Sequence, residues 1–135
     1  MAIGRIVVTA PYSHPRSDKL VGKRVWYRYE SGYIFEQYYQ DKDTIVWTAV
    51  GGELDGYSQE EKYHCFEIAD NIFFITWCEE QTPYSIEENV QREGPWPVTV
   101  VADFNKMIAT VSFVNPSADG GADYIVDQGR LEIKE

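Results

Sequence analysis

The sequence predicts an all-β protein, an eight- to nine-stranded antiparallel up-and-down barrel, and three observations lead to that prediction. Short runs of alternating apolar and polar residues recur after residue 20. Turn-forming residues separate these runs, and the connections are too short for crossover helices, so neighbouring strands should be antiparallel. Aromatic residues, which favour half-buried strands, make up 15% of the chain. A β-sandwich is the competing architecture.

Eight strands are expected in order along the chain. Their predicted ranges are 21–30, 32–40, 43–50, 61–68, 72–80, 98–103, 107–114 and 124–133. Ser31-Gly32 suits a tight hairpin with positive φ at the glycine, and Asp70-Asn71 and Asn105-Lys106 are turn formers. Eight strands in sequence can close on themselves, which removes exposed edges and leaves an interior wide enough for one small ligand.

Two segments interrupt the strand pattern. Residues 1–19 contain two prolines and a polar run, so they are expected to be an irregular leader with one short strand at 6–8, before a single domain over 20–135. Between strands five and six, Thr82, Pro83 and Gly94 could cap, start and end a short helix over the barrel mouth. A solvated loop is the alternative interpretation of that segment.

Charge and motif content exclude several function classes. The net charge of −10 repels phosphate backbones and anionic lipid, so neither nucleic acid nor membrane is an expected partner. The start of the chain is too weakly apolar for a signal sequence, which predicts a cytoplasmic protein with Cys65 and Cys78 as reduced thiols. Phosphate loops, paired metal-ligand cysteines and nucleophile elbows are missing from the sequence, so no cofactor or metal is expected.

Strand alternation selects candidate interior residues. Val25, Tyr27 and Tyr29 share one face of the first strand, which is the more apolar face. Both faces of 72–80 are apolar, so alternation does not choose between them. If Trp77 points inward, Glu79 lies in an aromatic cavity, where desolvation favours its neutral form and where it could donate a proton or bind a cation. A solvated glutamate at a strand end is the alternative.

Histidine contributes one further candidate. His64 alternates with Phe66 and Ile68, as expected of a strand residue, and it is included among the predicted ligand contacts.

Four segments resemble the MoaF-like group, named after molybdenum cofactor biosynthesis protein F and related to the phenolic acid decarboxylases. These segments are Gly22-Lys23-Arg24, residues 27–32, residues 71–79 and residues 98–104. The resemblance covers residue 20 to the end. It implies a lipocalin-like barrel of the calycin type.

The resemblance also implies roles for individual residues. In the decarboxylases two tyrosines and an arginine hold the substrate carboxylate while a glutamate protonates the alkene. The tyrosines fall on Tyr27 and Tyr29, the glutamate on Glu79, and a further family tyrosine on Phe35. The family's arginine segment corresponds to residues 52–57, which contain no arginine. The loss of a bidentate guanidinium weakens the case for decarboxylation.

Three functions are therefore weighed. The first is a small-molecule-binding barrel that holds a small aromatic or an amine between its tyrosines, Trp47, Trp77 and Glu79. The second is a cofactor-free lyase resembling phenolic acid decarboxylase, with Glu79 as the general acid.

The third function is a non-catalytic interaction module with a packed interior. It would form a homodimer through exposed aromatic side chains at Trp26, Tyr38 or Trp96.

Overall fold

A computed structural model describes residues 5–9, 14–81, 93–116 and 121–134, in which eight β-strands form. The strands are β1 (Arg24–Tyr29), β2 (Ile34–Tyr39), β3 (Thr44–Ala49), β4 (Ser58–Ala69), β5 (Ile72–Gln81), β6 (Glu93–Asp103), β7 (Ile108–Pro116) and β8 (Ala122–Ile133). No helix in the described part of the chain is long and apolar enough to span a membrane.

The strands close into an antiparallel up-and-down barrel. Each strand pairs with the next, and β8 pairs with β1 through neighbours such as Leu131 and Tyr27. The other neighbour of Tyr27 is Phe35 of β2. The barrel prediction is confirmed with eight strands, and the β-sandwich alternative is excluded because the sheet has no break.

Turn chemistry agrees with the sequence. Gly32 has φ of 101°, as expected for the Ser31-Gly32 hairpin, and Asn71 has φ of 60° in the β4–β5 turn. Asparagine tolerates this left-handed conformation better than most residues. The β6–β7 turn places its positive φ of 57° on Met107, directly after Asn105-Lys106.

Part of the leader packs against β4. Arg16 forms an isolated antiparallel bridge with Phe66, and the Ser17 amide donates to the Cys65 carbonyl at 2.9 Å. Leu20 is buried and belongs to the hydrophobic core. Residues 5–9 have no regular structure, so the short strand predicted at 6–8 is wrong.

The segment predicted as a helix or loop between strands five and six falls mainly on residues 82–92, which lie outside the described residues. Its last two residues, Glu93 and Gly94, belong to β6.

The barrel has two ends that differ in burial. At the closed end, which carries the turns at 40–43, 70–71 and 104–107, inward-facing side chains such as Tyr39, Ile45 and Ile75 are fully buried. At the open end, which carries the connections at 30–33 and 50–57, several inward-facing residues are half-buried instead. They include Tyr29, Phe35, Glu61, Glu79 and Phe113. Part of the inner face is thus less buried at the open end than at the closed end.

The seam between β1 and β8 is unusually tight at Gly129. A Cβ atom there would lie 2.3 Å from the carbonyl oxygen of Arg28 and 2.9 Å from Cα of Tyr29. Only glycine lets the two backbones approach so closely. This position therefore helps to close the barrel.

Ion pairs and cation–π contacts connect side chains on the outer face near β1. Glu36 forms an ion pair with Arg24 at 3.0 Å and accepts a hydrogen bond from the Trp26 indole at 2.9 Å. Lys134 Nζ lies 4.2 Å from the Trp26 ring centroid, and the Arg24 guanidinium lies 4.1 Å from that of Tyr38. Both aromatic residues are half-buried on the outer surface.

Candidate ligand-binding site at the open end of the barrel

The face of β5 that carries Trp77 points into the barrel. Trp77 pairs with Tyr63 of β4 and Val98 of β6, both of which are buried in the core. Phe73 and Ile75 belong to the same cluster. Strand alternation then places Glu79 on the inner face, one step nearer the open end. The structure thus makes the choice between the two apolar faces of β5 that the sequence leaves open.

Glu79 is a half-buried acid held by its neighbour. The Trp77 indole Nε1 donates to Glu79 Oε2 at 3.0 Å. Desolvation raises the pKa of Glu79 to about 8; the indole hydrogen bond opposes this, and the nearby Glu61 carboxylate adds to it. At neutral pH the carboxyl is mostly protonated.

Glu61 lies beside Glu79 on the inner face. It pairs with Ile45 of β3, and continuing the β4–β5 register by two residues brings it opposite Glu79. The Trp47 indole Nε1 donates to Glu61 Oε2 at 3.1 Å. Two tryptophan–glutamate pairs therefore stand side by side. Sequence reasoning missed Glu61, although its alternation with Tyr63 and Cys65 carried the signal.

Trp96 is the cross-strand partner of Glu79 on β6. Its side chain is only 4% exposed, so the expectation that it lies on the surface is wrong. It alternates with the core residues Val98 and Val100, which places it on the inner face. Within the described part of the chain, its buried indole Nε1 has no hydrogen-bond partner. Its place between Pro95 and Pro97 gave no signal in the sequence that it lies on the inner face of a strand.

Tyr27 belongs to a buried chain of hydrogen bonds. Tyr39 donates to Gln37 Oε1 at 2.8 Å, and the Tyr27 and Tyr39 hydroxyls are 2.5 Å apart. Because Tyr39 has a single proton, already given to Gln37, Tyr27 is the donor in its bond to Tyr39. Burial raises the pKa of Tyr27 far above its ordinary value, so the phenol stays neutral. Towards a ligand, the Tyr27 oxygen can only accept.

A row of aromatic rings continues from Tyr27 along the wall of β1, β2 and β3. The Tyr27 and Tyr29 centroids are 6.3 Å apart, Tyr29 and Phe35 are also 6.3 Å apart, and Phe35 and Trp47 are 5.7 Å apart. Burial is the main cause that raises the pKa of Tyr29, with contributions from Tyr27 and Asp127. This wall offers ring faces and edges to a ligand.

Six of the seven predicted site residues share the inner face. They are Tyr27, Tyr29, Phe35, Trp47, Trp77 and Glu79. The seventh, His64, pairs with Thr76 and lies on the opposite face of β4 from the core residues Tyr63 and Cys65. Partial burial lowers its pKa. The structure does not bring His64 together with the other six. His64 is therefore left out of the proposed binding site.

The charge inside the open end is negative. Among the described residues, none of the inward positions of the eight strands is a lysine or an arginine, whereas Glu61, Glu79 and Asp127 all point inward. The described residues also contain no group of three or more metal-ligating side chains. The arrangement can accept hydrogen bonds, neutralise a cation and stack on rings.

Comparisons with known proteins agree with this fold. A crystal structure from Burkholderia vietnamiensis, of a candidate beta-lactamase, matches 88% of this chain and 99% of its own, with a TM-score of 0.64 and 19% identity. At that identity the likeness shows the fold alone. No curated protein matches the chain. The family model described as the MoaF C-terminal domain matches residues 14–123, and the chain therefore belongs to that family.

Proposed function

We propose that this chain is a small-molecule-binding barrel that holds a small aromatic or an amine at the open end of its interior. One observation carries the proposal. Glu61 and Glu79 lie next to each other on the inner face, each bound by a tryptophan N–H, in a surface of aromatic rings. The partial exposure of inward residues such as Tyr29, Phe35 and Phe113 supports access for a ligand.

The same surface favours an amine over a carboxylic acid. An ammonium group would meet two carboxyls and the faces of Trp47 and Trp77, and a cation over a desolvated ring gains about 2 kcal/mol. A carboxylate would meet the Glu61 carboxylate with no inward cation among the described residues to offset the repulsion.

Three matched probes test the proposal by calorimetry at pH 7: benzylamine, benzyl alcohol and benzoate. Benzylamine should bind tightest and benzoate weakest. Glu79→Gln should weaken benzylamine by up to about tenfold, since a charge-assisted bond contributes about 1.5–3 kcal/mol and deprotonating Glu79 at pH 7 takes back about 1.4 kcal/mol of it, and should leave benzyl alcohol unchanged. Glu132→Gln, on the outer surface, is the control and should alter neither. Benzoate binding as tightly as benzylamine would contradict the proposal.

Proton release offers a second, independent readout. Because the pKa of Glu79 is raised to about 8, pairing with an ammonium group at pH 7 requires the carboxyl to lose its proton. Benzylamine should release close to one proton per molecule bound, measured by calorimetry in buffers of different ionisation enthalpy. Benzyl alcohol should release none, and Glu79→Gln should abolish the release.

A cofactor-free lyase resembling phenolic acid decarboxylase is the second candidate. It is favoured by one observation, the raised pKa of Glu79, which keeps a general acid protonated near neutral pH. Two other observations weigh against it. The Tyr27 hydroxyl donates its proton to Tyr39, and the described inner face holds no cation for a substrate carboxylate. Carbon dioxide release from p-coumaric or ferulic acid would establish it, and we expect no turnover.

A further inference from the structure

We infer that Trp96 determines ligand specificity at this site, by donating its indole N–H to a neutral acceptor oxygen on the ligand. The preferred ligand is then an aromatic amine that also carries an ether, hydroxyl or carbonyl oxygen. This inference rests on the proposed function of the site. It adds a hydrogen-bond donor, the Trp96 N–H, to the two glutamates that bind the amine.

The indole N–H of Trp96 is a buried hydrogen-bond donor. The Trp96 side chain is almost completely buried, and its Nε1 atom has no hydrogen-bond partner among the residues that the structure describes. Nearly all buried polar groups in native proteins are paired, because an unpaired one has lost its bond to water and gained nothing in return. The other interior tryptophans both follow the rule, since Trp47 donates to Glu61 and Trp77 to Glu79. The described residues therefore do not supply an acceptor for Trp96, and a bound ligand can supply one.

The Trp96 side chain lies next to Glu79. Trp96 is paired directly with Glu79 across the β5–β6 ladder and shares its inward face. Side chains at directly paired positions start about 5 Å apart. Glu79 could accept from Trp96, but it is bound by Trp77 instead. A donor and a carboxyl are thus available next to each other, which suits a ligand with an acceptor and an ammonium group.

An unpaired donor in a binding site makes the site selective among ligands. A site that presents a buried donor discriminates strongly against ligands that cannot satisfy it, because the donor is then left unpaired. A plain aromatic amine would satisfy the glutamates and leave Trp96 unpaired. An amine with an ether oxygen would satisfy all three groups.

Calorimetry with a matched ligand series tests the inference. Wild-type protein and Trp96→Phe, which keeps an aromatic ring and removes the N–H, are each titrated with benzylamine and with its 2-, 3- and 4-methoxy derivatives. One methoxy isomer should bind wild type about 5- to 10-fold more tightly than benzylamine, as expected for one added hydrogen bond. Trp96→Phe should lose this advantage and keep its benzylamine affinity within about twofold. Trp26→Phe, on the outer surface, should retain the advantage.

The possible results distinguish the role of Trp96 from the proposed binding of amines. If benzylamine binds but no methoxy isomer gains affinity, or the gain persists in Trp96→Phe, the role of Trp96 is refuted and the amine site stands. If no amine binds at all, both are refuted. Should Trp96→Phe fail to fold, the indole N–H resonance of Trp96 in wild type decides. It should move downfield with the favoured methoxy isomer and not with benzylamine, and an unchanged resonance refutes the inference.

Discussion

Replacing Glu79 by glutamine removes an ionisable group from the inner face and leaves a side chain of nearly the same shape. In the folded protein burial raises the pKa of Glu79 from 4.5 to about 8. In the unfolded chain the same carboxyl titrates near its ordinary value. Between these two values the folded state binds a proton that the unfolded state has released, so folding stability must fall as the pH rises.

The size of the loss of stability follows from the pH range between the two pKa values. Each unit of pH within it changes the free energy of unfolding by about 1.4 kcal/mol. From pH 5 to pH 8 this single group should therefore remove about 4 kcal/mol of stability from the wild type. Glutamine does not titrate, so Glu79→Gln should be nearly as stable as wild type at pH 5 and about 4 kcal/mol more stable at pH 9.

Urea unfolding followed by circular dichroism at pH 5, 7 and 9 measures the difference between the two proteins. The control is Glu132→Gln, whose carboxylate lies on the outer surface beside Lys134 and Arg28, which lower its pKa. Its difference from wild type should not change above pH 5, because that carboxylate is ionised in both states. Parallel stability curves for wild type and Glu79→Gln would refute the reasoning about the buried carboxyl.

Three other properties should respond in predictable ways. Gly129→Ala should lower the free energy of unfolding by about 3 kcal/mol, since its Cβ would meet the Arg28 backbone; a loss below 0.5 kcal/mol in urea, on the order of a neutral surface change, would contradict this. Tyr39→Phe should cost about 1–3 kcal/mol in the same assay by leaving two buried partners unpaired, and an unchanged midpoint would argue against the hydrogen-bond chain. Because burial raises the pKa of the Cys65 thiol to about 12, a Cys78→Ser variant should react with a thiol reagent at pH 8 only after unfolding; rapid native labelling would be the contrary result.

The fold followed from the sequence because its signals are local. Turn residues such as Gly32 and Asn71 mark where the chain reverses, and short connections force antiparallel pairing. Strand ends were less accurate. Strand β6 begins at Glu93 and not at residue 98, because Pro95 and Pro97 resemble strand breakers yet sit within the strand.

The site was only partly predictable. Alternation gives the period of a strand but not which face points inward, so the inward position of Glu79 had to come from its pairing partners on β4 and β6. Glu61 and Trp96 were missed because a charged residue is usually exposed and a tryptophan beside proline usually lies in a loop. His64 was included as a strand residue that alternates with Phe66 and Ile68, and the structure places it on the outer face.

Titration of the Glu79 carboxyl by carbon-13 NMR, with and without saturating benzylamine, tests the central claim most directly. An enclosed carboxyl that binds an ammonium group should titrate near pH 8 in the free protein and at a distinctly lower pH in the complex. A pKa near 4.5 that benzylamine does not move would show that Glu79 is solvated and takes no part in binding.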